Sequence, residues 1–550
     1  MSNRIVKRGF EIGAFTRRDL LKVGGILLPT YAIAPALMVG RAQAQTTGGF
    51  AYYISTNGSD SNAGTISSPW AITAINSKQS TYAGKSVGII AGTYDVSALM
   101  NSKYHTPVLN INGGSTSSSP TYIAACDASG NYSRGAVTLD AKGASGSYGG
   151  GNNNLSSIIG QGFETNVPAN KGNWTIDGLV LTGFSLWAVH VGNYDGSGGN
   201  LPNVTIQNCT FTGGNATQTN SSVTTGVNLA PLVLYAYTNC LVQNNWFHDN
   251  AGATASGVDP DHFVGTYVWG IGGGSTGLIF QYNTLTNSGG IFGKTDEGVI
   301  AGTTVQNNYI DMTQKTPSGG QVMAVEGFTN PNATGLTSYF RNNIMVGGNG
   351  MVLELQEQPN YDVWADPCYV YNNTWIAGAG GVSGGNAIYR LWEKTAGTKP
   401  FVFYNNLFYD NGQSSGVVSP YGYVDSNADG FAVCDYNIYG SFNSFTIRAA
   451  GGSTSPNSVA FTAWKSAVGA EAHSSTNGSN PFSNNGSYAL AYQVQSGSVA
   501  YQTGRVGGTL SGAACNVGAW DGTASQIGCS FAGGASTSTT TPAAPVLTIS

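Results

Sequence analysis

Charge is what this sequence has least of. Only 9% of its 550 residues are Asp, Glu, Lys or Arg, 27 acidic against 22 basic, for a formal net charge of −5. An acidic balance excludes nucleic acid as the main partner, because that binding is driven by Lys and Arg displacing counterions from phosphates. The chain has no P-loop, dinucleotide fingerprint, zinc spacing or nucleophile elbow. Its seven cysteines (Cys126, Cys209, Cys240, Cys368, Cys434, Cys515 and Cys529) include no close pair, which excludes a thiolate metal motif. Helical apolar stripes are missing, and beyond residue 40 no apolar run could span a bilayer. Low charge alone would also suit a disordered chain, but 11% aromatics and strand-like alternation exclude that class.

What is present is a repeat. Eight segments carry an Asn or Asn pair flanked by alternating apolar residues: Val204–Phe211, Leu241–Phe247, Leu278–Leu285, Thr304–Ile310, Ser338–Met345, Tyr369–Trp375, Phe401–Phe408 and Phe431–Tyr439. The last Asn, or its equivalent, falls at Cys209, Asn245, Asn283, Asn308, Asn343, Asn373, Asn406 and Asn437, with gaps of 36, 38, 25, 35, 30, 33 and 31 residues. A period of that size with two-residue alternation predicts a β solenoid. Asn tolerates the left-handed turn that each coil needs, and identical Asn side chains on coils about 4.8 Å apart can hydrogen-bond along a ladder.

This pattern resembles the right-handed parallel β-helix proteins of the pectate-lyase-like superfamily, over most of the chain. Tyr52–Trp70 followed by Ile89–Tyr94 is similar to the N-terminal signature of secreted bacterial β-helix enzymes. Gly497–Gln502 and Cys515–Asp521 are similar to that group's closing coil. The resemblance implies an all-β chain, a single-stranded right-handed parallel β-helix with an N-terminal cap.

Residues 1–44 read as a twin-arginine signal peptide: Arg17-Arg18 in Thr16–Lys22, an apolar stretch from Val23 to Gly40, and a small-residue site at Ala42–Ala44. Periplasmic or secreted localisation is expected from it. Residues 45–530 form the predicted β-helix domain and residues 531–550 a Ser/Thr/Pro-rich tail. Cys209, Cys240, Cys368 and Cys434 lie in or beside repeat strands, where buried thiols are expected. Cys515 and Cys529 flank the last coil, which leaves a disulfide open. Abundant Gly, Ser, Thr and Asn with many aromatics suits a protein that meets sugars, so a polysaccharide is the expected partner of a monomer.

On such a scaffold the outer face of one sheet forms a groove, and each coil adds a side chain to it. Aligning coils on the Gly pair before each strand gives a row Lys294, Glu326, Glu354, Arg390, with His190 and Tyr237 in comparable earlier strands. Resemblance to the lysine-bearing coil of β-helix polysaccharide lyases, carried by Gly290–Ile310, implies Lys294 as the base that removes the proton α to a uronate carboxylate. Arg390 or a Ca²⁺ ion would then neutralise that carboxylate. Asp259, Asp261, Asp296 and Glu297 are the candidate calcium ligands. Trp269, Trp392, Glu357, His190 and Tyr237 are the candidate substrate contacts, with core packing the competing role for each ring.

Two other functions use the same residues. Glu326 and Glu354 on adjacent coils would stand about 5 Å apart, near the separation of a retaining glycoside hydrolase. A carboxylate that close to Lys294 would also hold the lysine protonated. A non-catalytic glycan-binding or surface β-helix is the third reading, favoured by the scarcity of ionisable groups.

Overall fold

A computed structural model describes residues 49–100, 107–143, 157–162, 168–184, 187–192, 199–214, 230–250, 266–271, 275–297, 300–313, 323–326, 336–347, 353–356, 368–376, 389–392, 401–409, 421–423, 431–440, 445–447, 457–468, 471–476, 478–483, 488–505, 514–515, 518–519, 526–527 and 535–536. Three long sheets carry the architecture. Sheet I runs from Tyr52–Ile54 to Phe431–Asp435, sheet II from Gly92–Asp95 to Ile438–Gly440, and sheet III from Pro107–Asn110 to Asn457–Val459. They hold 13, 11 and 12 strands among the described residues. Neighbouring strands belong to successive coils and pair in parallel, until Phe445–Ile447 meets Asn457–Val459 antiparallel at the far end of sheet III. One coil visits Leu232–Tyr235 in sheet III, Tyr237–Gln243 in sheet I and Trp246–His248 in sheet II. This is the expected parallel β-helix, and right-handedness is the sense that parallel crossovers adopt.

Alternation along each strand sends every second side chain inward. In sheet I the buried row is Ile176, Ile206, Val242, Phe280, Val305, Phe340, Val370 and Phe403. Rings stack coil on coil inside, with Phe211 on Phe247 at 4.4 Å and Phe408 on Tyr439 at 5.2 Å. The predicted burial of Cys209, Cys240, Cys368 and Cys434 is observed, and all four are free thiols.

The Asn repeat performs two tasks on two adjacent residues. Asn208, Asn244, Tyr282, Asn307, Asn342, Asn372, Asn405 and Tyr436 turn the chain from sheet I to sheet II with φ between +53° and +58°. The following residue, Asn245 through Asn437, is fully buried. Each buried Asn donates its Nδ2 to the Oδ1 of the next coil's Asn at 2.9–3.2 Å. Its own Oδ1 accepts the backbone N–H of the preceding coil, beginning with Cys209. The ladder ends at Glu471, also fully buried, whose carboxyl accepts from Asn437 Nδ2 and Cys434 Sγ and bonds the hydroxyls of Tyr439 and Ser474. Burial raises the Glu471 carboxyl pKa against the pull of those hydrogen bonds.

The first edge of sheet III is covered by side chains. Helical turns Ala74–Ser77 and Gln79–Tyr82 bring Asn76 and Gln79 against Pro107–Asn110. Asn76 donates to Val108 O and accepts from Asn110 N, and Gln79 donates to Asn110 O. Amide side chains thus replace a strand partner that would otherwise be missing. At the other end, helix Phe461–Val468 buries Trp464 against the last coils. No helix among the described residues is long and apolar enough to cross a membrane.

Candidate active site on sheet III

Val189, Val191, Leu232, Leu234 and Ile291 belong to the core, so the intervening positions of sheet III form its outer rows. Two rows run along the helix, and the sequence-predicted residues divide between them. The first row passes through His190, Val233, Tyr267, Phe292, Ala324, Glu354, Arg390 and Tyr421. The second passes through Tyr235, Trp269 and Lys294, and resumes as Glu326, Gln356, Trp392 and Tyr423. The single row Lys294–Glu326–Glu354–Arg390 expected from the sequence is therefore two rows, two residues apart.

The division changes the distances that matter. Strand spacing of about 4.8 Å and a rise of about 3.3 Å per residue set the backbone separations. Glu354 pairs with Arg390 and Ala324, and Glu326 pairs with Gln356. Glu326 and Glu354 are thus diagonal neighbours about 8 Å apart at Cα, not the 5 Å of direct partners. Arg390 is three strands and two residues from Lys294, about 16 Å at Cα.

Lys294 marks a break in the sheet. Toward the preceding coil it pairs with Trp269, after which the register shifts so that Ile271 meets Glu297. The extra residue is a β-bulge between Lys294 and Glu297, and a bulge bends its strand and re-aims what it carries. Toward the following coil the pairing stops at Gly293 and Val325, leaving Lys294 and Glu326 as the next residue on each strand. Asp296 lies within the bulged stretch. The bulge therefore gathers a lysine and two acidic residues beside a tryptophan position.

Two predicted contacts are corrected. Tyr237 belongs to sheet I and is fully buried in the core, so it takes no part in a substrate-facing row. His190 stands in the first outer row but is fully buried, its ring edge-on to Trp187 at 5.6 Å and to Tyr235 at 5.2 Å. Burial pushes its pKa down to about 3, so it is a neutral packing group at ordinary pH. Asp259, Asp261 and Glu357, together with Cys529 and the residues 1–44 expected to be a signal peptide, lie outside the described residues. Among the described residues no group of three or more Asp, Glu, His or Cys forms a metal-binding cluster. Asp296 and Glu297 offer the oxygen chemistry that Ca²⁺ takes, but they supply only part of its usual 6–8 ligands.

A polar row on the outer face of sheet I was not anticipated. Gln207 donates to Asp177 Oδ2 at 2.6 Å, Gln243 to Gln207 at 2.9 Å, Gln281 to Gln243 at 2.9 Å and Gln306 to Gln281 at 2.6 Å. Arg341 completes the row by donating Nε to Gln306 Oε1 at 2.7 Å. The signal was available in the sequence, since Gln stands just before the Asn turn in four consecutive coils.

No family model matches this sequence, and no curated protein matches it either. Solved structures do resemble it. A pectate lyase, Pel9A, aligns over 86% of this chain and 96% of its own at 15% identity and a TM-score of 0.42. The fold is the parallel β-helix that the sheet pairing shows. A rhamnogalacturonan lyase aligns over 67% of this chain and 84% of its own, at 14% identity and a TM-score of 0.42. A GH136 lacto-N-biosidase from Eubacterium ramulus aligns over 72% and 65%, at 13% identity and a TM-score of 0.37. At these identities the likeness concerns the fold alone.

Proposed function

We propose that this protein is an exported carbohydrate-active enzyme that cleaves a uronate-containing polysaccharide by β-elimination on the outer face of sheet III. The observation that carries the proposal is the bulged stretch at Lys294, set in register with Trp269. Lys294 as the free amine takes the C5 proton of the uronate. The electron pair left at C5 forms the C4–C5 double bond, the C4–O bond breaks with its pair on the leaving oxygen, and that oxygen takes a proton from the Lys294 ammonium or from water. Trp269, and Trp392 further along the same row, provide faces on which sugar rings can stack. Arg390, about 16 Å along the helix from Lys294 at Cα, serves to neutralise the carboxylate of a neighbouring sugar. Calcium held in part by Asp296 and Glu297 would supply that neutralisation at the reacting ring.

The position of Glu326 has a consequence for this chemistry. A carboxylate about 5 Å from an ammonium favours the charged lysine by about 1 kcal/mol in water and about 3 kcal/mol at an effective dielectric of 20. The base form of Lys294 is thereby confined to alkaline pH, and an alkaline optimum is expected. Export by the twin-arginine route, action as a monomer and a polysaccharide partner complete the proposal.

One observation favours a hydrolase as the second reading. Glu326 and Glu354 occupy adjacent strands as diagonal neighbours about 8 Å apart at Cα, and a pair of neighbouring acidic residues is what a glycoside hydrolase requires. Incubating mature protein with uronate-containing and neutral polysaccharides separates the two, with absorbance near 235 nm and reducing ends followed together. Elimination raises both signals and requires Lys294, so Lys294→Ala abolishes them. Reducing ends without absorbance, lost in Glu354→Gln, would replace the lyase by the hydrolase. Silence across the panel, with and without calcium, would leave a binding protein.

A further inference from the structure

The outer face of sheet I ends its glutamine row on an arginine set among tyrosines. Arg341 extends from Ser338–Arg341, between Gln306 on the preceding coil and Tyr371 on the following one. Its Nε is held by Gln306 Oε1 and its Nη1 donates to Tyr371 OH, both at 2.7 Å. The guanidinium lies 5.8 Å from the Tyr339 ring and 5.9 Å from the Tyr371 ring. Tyr339 stacks on Tyr369 at 5.4 Å, and Tyr371 stacks on Tyr404 at 4.9 Å. Arg341, Tyr339, Tyr369 and Tyr371 are all partly exposed.

A guanidinium offers five N–H donors in one plane. Two are engaged here, and no carboxylate among the described residues pairs with Arg341. The unspent donors lie on a group already fixed at two points and carried by a sheet. The glutamine row behind it is anchored on Asp177, which also accepts from Tyr122, Tyr132 and Asn208 at 2.7–2.9 Å. Such a group loses little conformational freedom on binding and matches a carboxylate in two-point fashion. The adjacent phenols supply hydroxyl partners and ring edges of the kind a pyranose meets.

We propose that Arg341, with Tyr339, Tyr369 and Tyr371, forms a second glycan-binding site on sheet I, specific for a uronate residue of an acidic saccharide chain. It stands on a different sheet from Lys294, so it holds the polymer without taking part in cleavage. The choice of uronate agrees with the reading of sheet III but rests on a guanidinium with donors to spare that no carboxylate among the described residues pairs with.

The test is calorimetric titration of Lys294→Ala protein with a uronate oligosaccharide, with and without Arg341→Gln. Gln at this position can donate to Gln306 as its neighbours do, so the row and the fold persist. Loss of charge-assisted bonds worth about 1.5–3 kcal/mol weakens this site about 10- to 100-fold. The unfolding midpoint stays unchanged, and a neutral oligosaccharide of equal length binds the parent only weakly. Unchanged affinity in Arg341→Gln, or no uronate binding by the parent, overturns the proposal. Equal competition by inorganic phosphate or sulfate would overturn the glycan assignment and leave a simple anion site. A protein that never eliminates uronate, yet loses affinity on Arg341→Gln, would refute the reaction and keep this site.

Discussion

Asn342 and Asn343 are neighbours of the same type, yet the structure gives them different energies. Asn343 is fully buried and makes four side-chain hydrogen bonds. Its Oδ1 accepts from Asn308 N at 3.1 Å and Asn308 Nδ2 at 2.9 Å, and its Nδ2 donates to Val305 O at 2.9 Å and Asn373 Oδ1 at 3.0 Å. Asn343→Ala orphans the Asn308 N–H. The Asn308 amide keeps its bond to Phe280 O, and Asn373 Oδ1 keeps the N–H of residue 343. One stranded buried donor costs about 1–3 kcal/mol, and the weakened partners with the small cavity bring the total to about 3–5 kcal/mol. Asn342 stands at φ +55° and is partly exposed. Asn342→Ala adds only the left-handed penalty of a β-carbon residue over Asn, about 1 kcal/mol. Guanidinium unfolding followed by far-UV circular dichroism measures both. Costs equal within about 0.5 kcal/mol, or a larger cost at Asn342, would refute the division of labour in the turn.

Three further outcomes are expected. Tyr282 occupies the same turn position at φ +55°, so Tyr282→Asn should raise stability by about 0.5–1 kcal/mol in the same unfolding assay, and a loss would contradict the turn assignment. His190 has a folded pKa near 3 against 6.5 unfolded, so the unfolded state binds the extra proton between these values. Its contribution is intact above pH 6.5 and is lost as pH falls toward 3, at up to about 1.4 kcal/mol per pH unit. His190→Phe should flatten the unfolding free energy measured from pH 7 to pH 5, and an unchanged slope would contradict this. Cys126, Cys209, Cys240, Cys368 and Cys434 are buried free thiols with raised pKa values, so a thiol reagent should reach them only after denaturation.

The coil was legible in the sequence because its turn repeats one residue type at one place in each period. The two roles inside that turn were harder to separate, since most coils put Asn at both positions. The coils containing Tyr282 and Tyr436 carry the distinction, because there only the second residue is Asn. The register of sheet III was not legible. Loops of differing length precede each strand, and the bulge after Lys294 inserts a residue that no composition signal marks. Tyr237 was misplaced for a related reason. The chain passes from sheet III to sheet I through Ala236 alone, at φ +34°, with no Gly, Pro or Asn to announce the corner.

The pH profile of β-elimination, measured at 235 nm on a uronate polymer for wild type and Glu326→Gln, tests the assignment of Lys294 most directly. Glu326 holds the next position on the neighbouring strand, so the proposal predicts that loss of its charge gives an active variant whose rising limb moves to lower pH by about half a unit to two units. A Glu326→Gln variant without activity, or one with an unmoved profile, would contradict the assignment of Lys294 as the base.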